Sequence, residues 1–158
     1  MADDPVSAAL KNVHYSLLVV GSRSAEGEPN GMTANWLTQV SFDPRVVAVA
    51  VQAGAVTREN IDATGVFSIS VLGEGTKDLA LKFTKKSQHG AGRLEGEPVS
   101  TFETGAPVLD QAVAWFECRV VDKAEPGDHV VFFGEVIGGE SREGDATTLS
   151  ATGMSYAG

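Results

Sequence analysis

The chain has a single cysteine among 158 residues, Cys118, so it forms no intrachain disulfide, and a reducing cytoplasm is its expected compartment. Basic side chains are scarce: 12 Lys and Arg stand against 21 Asp and Glu, a formal net charge of −9. Phosphate backbones repel such a chain, which argues against nucleic acid and anionic membranes as partners. Long apolar runs are missing too. The longest, Val46 to Val51, has six residues, where a membrane span needs roughly 18 or more. The acidic start Met1-Ala-Asp-Asp lacks the basic-then-apolar order of a signal peptide. There is no Gly-x-Gly-x-x-Gly, no Gly-x-x-x-x-Gly-Lys-Ser/Thr, no His-Glu-x-x-His and no Gly-x-Ser-x-Gly. The histidines His14, His89 and His129 are scattered without metal-ligand spacing, so no metal is expected. An enzyme without such constellations supplies position and electrostatics while a bound cofactor carries the chemistry.

What is present describes a globular protein. Apolar residues make up 42% and charged residues 21%, and the length predicts one domain over residues 1–158. Eighteen Gly and 6 Pro imply many turns. Strands are predicted over Val13–Val20 and Gly31–Ser41, flanking a turn segment from Ser24 to Gly31. Further strands are predicted at Val46–Val51, Phe67–Val71, and as an antiparallel pair at Val113–Val121 and Val130–Ile137 around Glu125-Pro-Gly-Asp128. Two short helices are expected, one N-capped by Thr57 and stopped by Gly65, one capped by Thr76 with Lys82, Lys85 and Lys86 toward its end. Residues 88–106 read as an irregular excursion. The class is mainly β, and six or seven closely spaced strands predict a barrel with helical plugs.

The densest chemical signal is Asn30-Gly-Met-Thr-Ala-Asn-Trp-Leu-Thr-Gln-Val-Ser41. Strand alternation puts Thr33, Asn35 and Gln39 on one face and Met32, Ala34, Trp36 and Val40 on the other. A hydroxyl and two amides on one side can bond the edge of a planar heteroaromatic ring, or simply form a solvated face. This block, followed in order by Val-Val-Ala-Val-Ala-Val, Val-Thr-Arg-Glu-Asn-Ile, Gly-Val-Phe-Ser-Ile-Ser-Val-Leu and Gly127-Asp-His-Val-Val-Phe-Phe-Gly-Glu-Val136, resembles the flavin reductase-like family of FMN-binding split barrels.

The resemblance implies a six-stranded Greek-key split β-barrel with two short helices, homodimeric, with FMN (or FAD) near the interface. It implies an oxidoreductase in which NAD(P)H delivers a hydride to flavin N5 and an unidentified acceptor takes the electrons. By the same carry-over Met32, Thr33, Ala34 and Asn35 border the ring, while Trp36 packs either beside the flavin or in the core. Thr57 marks a helix start suited to the phosphate. Gln52 is followed by Ala53-Gly-Ala55 where family members often carry a basic residue, a departure that either weakens phosphate affinity or shifts the phosphate role to Arg58, Lys85, Lys86 or Ser87. Phe83, Lys86 and Ser87 lie in a segment like the one that covers the cofactor in the family. His129, after the Pro-Gly-Asp turn, is the candidate catalytic residue, orienting flavin or nicotinamide; an ordinary surface histidine is the alternative. The tail Ser150-Ala-Thr-Gly-Met-Ser-Tyr-Ala-Gly158 is similar to a family ending that closes over the site, with no role assigned to Tyr156.

Three other functions fit parts of the pattern: a flavoredoxin-like electron-transfer protein with tightly bound FMN and a protein redox partner, a pyridoxamine-phosphate oxidase-like or deazaflavin-binding barrel, and a non-enzymatic flavin-binding barrel. Charge separates along the chain. Residues 1–56 carry 3 basic against 5 acidic, residues 91–158 carry 4 against 12, and residues 57–90 carry 5 against 4. The one segment without an acidic excess is the one where an anionic cofactor is expected.

Overall fold

The structure is a computed structural model and describes residues 4–157. In chain order the elements are α1 (Pro5–Leu10), β1 (Leu18–Arg23), β2 (Pro29–Ala34), β3 (Leu37–Phe42), β4 (Arg45–Gln52), α2 (Val56–Thr64), β5 (Val66–Val71) and α3 (Lys77–Leu81). Then follow β6 (His89–Gly90), β7 (Arg93–Leu94), β8 (Glu97–Ser100), β9 (Val108–Leu109), β10 (Ala114–Ala124) and β11 (His129–Ser141). A 3-10 turn at Ser150–Thr152 precedes the last described residues.

Seven strands form one antiparallel sheet in the order β2-β1-β5-β10-β11-β4-β3. Its two edge strands, β2 and β3, are consecutive in sequence and joined by only Asn35 and Trp36. The sheet therefore has to curl until its edges approach, although no ladder of hydrogen bonds closes it. Period-two alternation divides the apolar side chains between two cores. Leu18 and Val20 of β1 join Val47, Val49, Val51, Phe67, Ile69, Cys118, Val130, Phe132 and Ile61 of α2 in the first. Leu17 and Val19, on the opposite face, join Leu72, Leu79, Phe83, Leu94, Leu109 and Leu149 in the second.

The expected architecture is corrected in several places. The large sheet has seven strands rather than six, and three α-helices occur among the described residues rather than two. Asp4 accepts from the backbone of Val6 and Ser7 and caps α1, with Pro5 in its first turn. The stretch 88–106 is irregular only in part. It holds β6, β7 and β8, which with β9 make a four-stranded sheet over the second core. The predicted strand Gly31–Ser41 is broken at Asn35-Trp36 into β2 and β3, and the turn before it closes at Ser24–Glu28, so that Pro29, Asn30 and Gly31 already belong to β2. The β10/β11 pair forms as expected; β10 starts one residue later and runs three further, to Ala124, and β11 extends at both ends, from His129 to Ser141. In β5, Ser68 and Ser70 are buried; Ser68 Oγ donates to Pro107 O at 2.6 Å, and Ser70 Oγ accepts from Leu109 N at 3.0 Å.

Helix α2 starts earlier than its sequence indicates. Ala55 is the N-cap and offers no side-chain bond, so Thr57 is a residue of the first turn. Gly65 ends the helix as expected, at φ 69°, where a β-carbon would be strained. Helix α3 ends at Leu81, and Thr76 makes no side-chain cap bond but donates to Gly73 O at 2.6 Å. Lys82 is the C-cap, so Lys85 and Lys86 lie beyond the helix in the segment that returns to β2.

Candidate functional site

Where the edges of the sheet approach each other, β2, the Asn35-Trp36 link, the start of α2 and residues 84–86 enclose a cleft of about 650 Å³. That size falls within the roughly 300–1,000 Å³ of ligand sites. Its depth follows from the broken strand. Because the backbone turns at Asn35, both Asn35 and Trp36 reach the cleft instead of pointing to opposite faces.

One hydrogen-bonded cluster fixes the cleft floor. Asn30 Nδ2 donates to Thr57 Oγ1 at 3.3 Å, and Asn30 Oδ1 accepts from Ser87 N at 2.9 Å. Ser87 Oγ donates to Gly31 O at 3.0 Å, and Gly31 N lies 3.1 Å from the same hydroxyl. A β-carbon on Gly31 would sit 2.9 Å from the Phe83 ring, so this close approach of β2 to segment 83–87 needs glycine. Thr33 N donates to Phe83 O at 2.8 Å, and the Thr33 hydroxyl donates to Ala80 O. Asn30, Thr57 and Ser87 are all buried.

The rim carries the charge. No aspartate or glutamate lines the cleft, whereas Lys85 and Lys86 do, both exposed and without an ion-pair partner among the described residues. Gly54, Ala55, Val56 and Thr57 bring the N-terminus of α2 to the wall with no side-chain cap on it. First-turn N–H groups have no intrahelical acceptors, and together with the helix dipole they favour an anion.

The aromatic side of the cleft is built on Trp36. Its indole Nε1 is buried and has no hydrogen-bond partner, a costly state for a donor unless a ligand accepts from it. His129 and Tyr156 pack on the indole with ring centroids 4.7 and 5.2 Å away. His129 Nδ1 lies 2.7 Å from Asp128 Oδ1, and the hydrogen bond from the imidazole holds the Asp128 carboxyl below the usual carboxylate range. His129 Nε2 lies 2.9 Å from the Tyr156 hydroxyl, and Tyr156 Oη accepts from Gln52 Nε2 at 2.8 Å. Asn35 Nδ2 donates to Tyr156 O at 3.3 Å.

Of the residues selected from sequence, Met32, Thr33, Ala34, Asn35, Trp36, Gln52, Thr57, Lys86 and His129 all line this cleft. Arg58, Phe83 and Ser87 do not. Arg58 is engaged with Asp62, with Glu125 at 2.8 Å and with Ala53 O, and so braces the turn after Gln52. Phe83 is fully buried in the second core, and Ser87 supports the floor from behind. Sequence reasoning missed Asn30, Ala50, Val56, Leu149 and Met154 in the lining, and gave no role to Tyr156. Asn30 alone carried a signal, a polar residue opening the densest polar block; the others are contributed by topology. Among the described residues no group of His, Cys, Asp and Glu is placed to hold a metal.

Comparison with known proteins agrees with this geometry. Residues 10–157 match the flavin reductase like domain. The chain is 34% identical over 120 residues to the NADH-dependent flavin reductase StyB of Pseudomonas fluorescens, covering 76% of this chain and 68% of StyB. It spans 51% of the length of a Rhizobium meliloti relative, the stachydrine N-demethylase reductase subunit Stc3, at 34% identity over 77% of this chain. The NADH:FAD oxidoreductase SgcE6 of Streptomyces globisporus, also solved in complex with NAD and FAD fragments, superposes with a TM-score of 0.81 at 30% identity. That match covers 96% of this chain and 94% of SgcE6. With nearly the whole chain matched by the family and the cleft built from the residues that carry the resemblance, this protein belongs to the flavin reductase-like family.

Proposed function

We propose that the cleft binds FMN, with FAD as an alternative flavin, and that the protein is a flavin reductase using NAD(P)H as electron donor. One observation carries this most directly. In a chain of net charge −9, the large cleft is free of carboxylates and presents two unpaired lysines, an uncapped helix N-terminus and an orphaned indole donor. Those groups match a ligand with a phosphate at one end and a planar ring with acceptor atoms at the other.

The N–H groups opening α2, with Lys85 and Lys86, hold the phosphate; the Thr57 hydroxyl, oriented by Asn30, faces the same corner. Met32, Ala34 and Ala50 supply apolar wall, while Trp36 Nε1 and the Asn35 amide donate toward the ring's polar edge. Thr33 contributes wall and an acceptor oxygen, because its hydroxyl proton and N–H are directed to Ala80 and Phe83. Bound flavin supplies the redox chemistry by accepting a hydride equivalent from the nicotinamide. The protein's part is position and donors, which explains the absence of an acid–base constellation. His129, held by Asp128 and packed on Trp36, orients a ligand ring at the mouth. That NADH serves StyB and SgcE6, by their names, supports the donor class.

Finer points rest on the same frame. The curled sheet with edges joined through Asn35-Trp36 supports a split barrel, and the whole chain 1–158 is one such domain. Edge strand β3, with Phe42 89% exposed, supports a homodimer. A lone buried thiol supports a cytoplasmic location, and no helix among the described residues is long and apolar enough to cross a membrane. Mixing the purified protein anaerobically with FMN and NADH tests the proposal. Loss of the oxidised-flavin band at ~450 nm, catalytic in protein, is expected. No acceleration over protein-free NADH and FMN rejects it.

A further inference from the structure

The Asn35 amide that the flavin assignment gives to the ring's polar edge, and the Gln52 amide in the cleft lining, are already engaged by the protein's own segment 153–157. Asn35 Nδ2 donates to the Tyr156 carbonyl, Gln52 Nε2 donates to the Tyr156 hydroxyl, and that hydroxyl in turn faces His129 Nε2. The Tyr156 ring contacts the Trp36 indole at a tilt of 52°, with ring centroids 5.2 Å apart. Met154, Ser155 and Tyr156 all contribute to the cleft lining.

The segment is tethered at one end. Upstream it is anchored: Leu149 is buried in the second core, Leu149 N donates to Tyr15 O at 2.9 Å, and Thr152 Oγ1 donates to Leu149 O at 2.6 Å. Gly153 then turns the chain at φ 79° with open space around it, as a hinge requires. Beyond the hinge, Tyr156 is held by three side-chain hydrogen bonds and ring contacts rather than by a strand ladder, and it is 41% exposed. Such contacts are individually weak and exchange readily with water.

We propose that residues 153–157 are an intramolecular competitor: in a closed form Tyr156 takes the place beside Trp36, and it has to swing out, pivoting at Gly153, before a flavin or nicotinamide ring can take that place. This rests on the flavin assignment of the cleft and adds to it a closed resting state. A ligand that binds only the open form has an apparent affinity reduced by the open fraction. Each neutral hydrogen bond shifts that fraction by a few-fold.

The test compares wild type with Tyr156→Phe, which removes the hydroxyl bonds but keeps the ring, and Tyr156→Ala, which removes both. FMN affinity is measured by fluorescence quenching, and deuterium exchange of the peptide spanning 149–157 is followed with and without FMN. Competition predicts tighter FMN binding by about threefold for Phe and about tenfold for Ala, and faster exchange of the segment when wild type is saturated. Equal or weaker binding by both variants, or slower exchange on saturation, overturns the proposal and makes Tyr156 a wall or lid of the occupied site. In that outcome wild type still binds FMN and the flavin assignment stands. If neither wild type nor the variants quench FMN, the flavin assignment fails and the competitor with it. The Phe variant, which loses only one oxygen, secures the comparison should the Ala variant fold poorly.

Discussion

Asn30 Nδ2 donates to Thr57 Oγ1 across 3.3 Å, tying β2 to the first turn of α2 at the floor of the cleft. The same side chain accepts from Ser87 N, so one buried carboxamide sets the relative position of the ring wall, the helix N-terminus and the lysine-bearing segment. Asn30→Ala leaves a buried N–H and a buried hydroxyl without partners. It is expected to lower unfolding stability by about 1–3 kcal/mol and to weaken FMN binding. Urea denaturation and fluorescence titration of the same samples measure both. Unchanged FMN affinity at reduced stability assigns Asn30 to the fold alone.

Lys85 and Lys86 face the cleft without counter-charges among the described residues. If they hold a phosphate, replacing both by Gln weakens FMN binding by about tenfold or more, since a charge-assisted contact is worth roughly 1.5–3 kcal/mol. Riboflavin, which has the ring but no phosphate, is expected to bind wild type and the double variant alike. Added salt should narrow the difference seen with FMN. Equal losses for FMN and riboflavin would instead place the lysines at the ring.

The site was more legible in the sequence than the fold around it. Met32 to Trp36, Gln52, Thr57, Lys86 and His129 converge on one cleft because the ordered blocks were recognisable as a set. What stayed hidden depends on long-range packing. Asn35-Trp36 breaks a strand that alternation alone would continue, because the chain there crosses between the two edges of a curled sheet. Thr57 has the composition of an N-cap, yet the helix begins at an alanine, since burial against Asn30 outweighs local capping preference. Arg58 has a plausible charge for a phosphate, but Asp62, four residues on, and Glu125, 67 positions away, claim it, and only the second pairing lies beyond what spacing shows. Helix α1 did carry a local signal, Asp4-Pro5, that went unused. Tyr156 reaches Gln52 over 104 positions; its tail resembles a family ending over the site, but the residue it meets there is set by packing.

Cys118 supplies a prediction about alkaline stability. Burial, reinforced by the neighbouring Glu117 charge, pushes its thiol from 9.0 up to about 12. The unfolded chain therefore loses a proton near its ordinary value while the folded chain keeps it. The contribution is whole below that value and is lost as pH rises toward about 12, by at most about 1.4 kcal/mol per pH unit. Urea midpoints taken from about pH 8 to 10.5 should fall more steeply for wild type than for Cys118→Ala, whatever the cavity in the variant does to their absolute level. A thiol reagent at pH 8 should modify the native protein only as fast as it opens. Parallel pH profiles for the two proteins would show that the thiol does not couple to folding.

Edge strand β3 bears on the assembly. It pairs with β4 on one side only, and a register shift between Gln39 and Ser41 interrupts that pairing. Phe42 is 89% exposed and Val40 50% exposed. An unpaired edge with exposed apolar side chains is a liability in a monomer unless another chain covers it. The proposed homodimer meets that need with a second copy, and it predicts a concentration-independent dimer mass for wild type in the micromolar range. Phe42→Glu should shift this equilibrium toward monomer, because transfer of a charge into a covered apolar contact is costly. The exposed site itself is expected to tolerate the change with little loss of monomer stability. Sedimentation equilibrium of both proteins over a hundredfold concentration range measures the shift. A monomeric wild type removes the homodimer from the proposed function. A dimer that Phe42→Glu leaves intact moves its interface away from this strand.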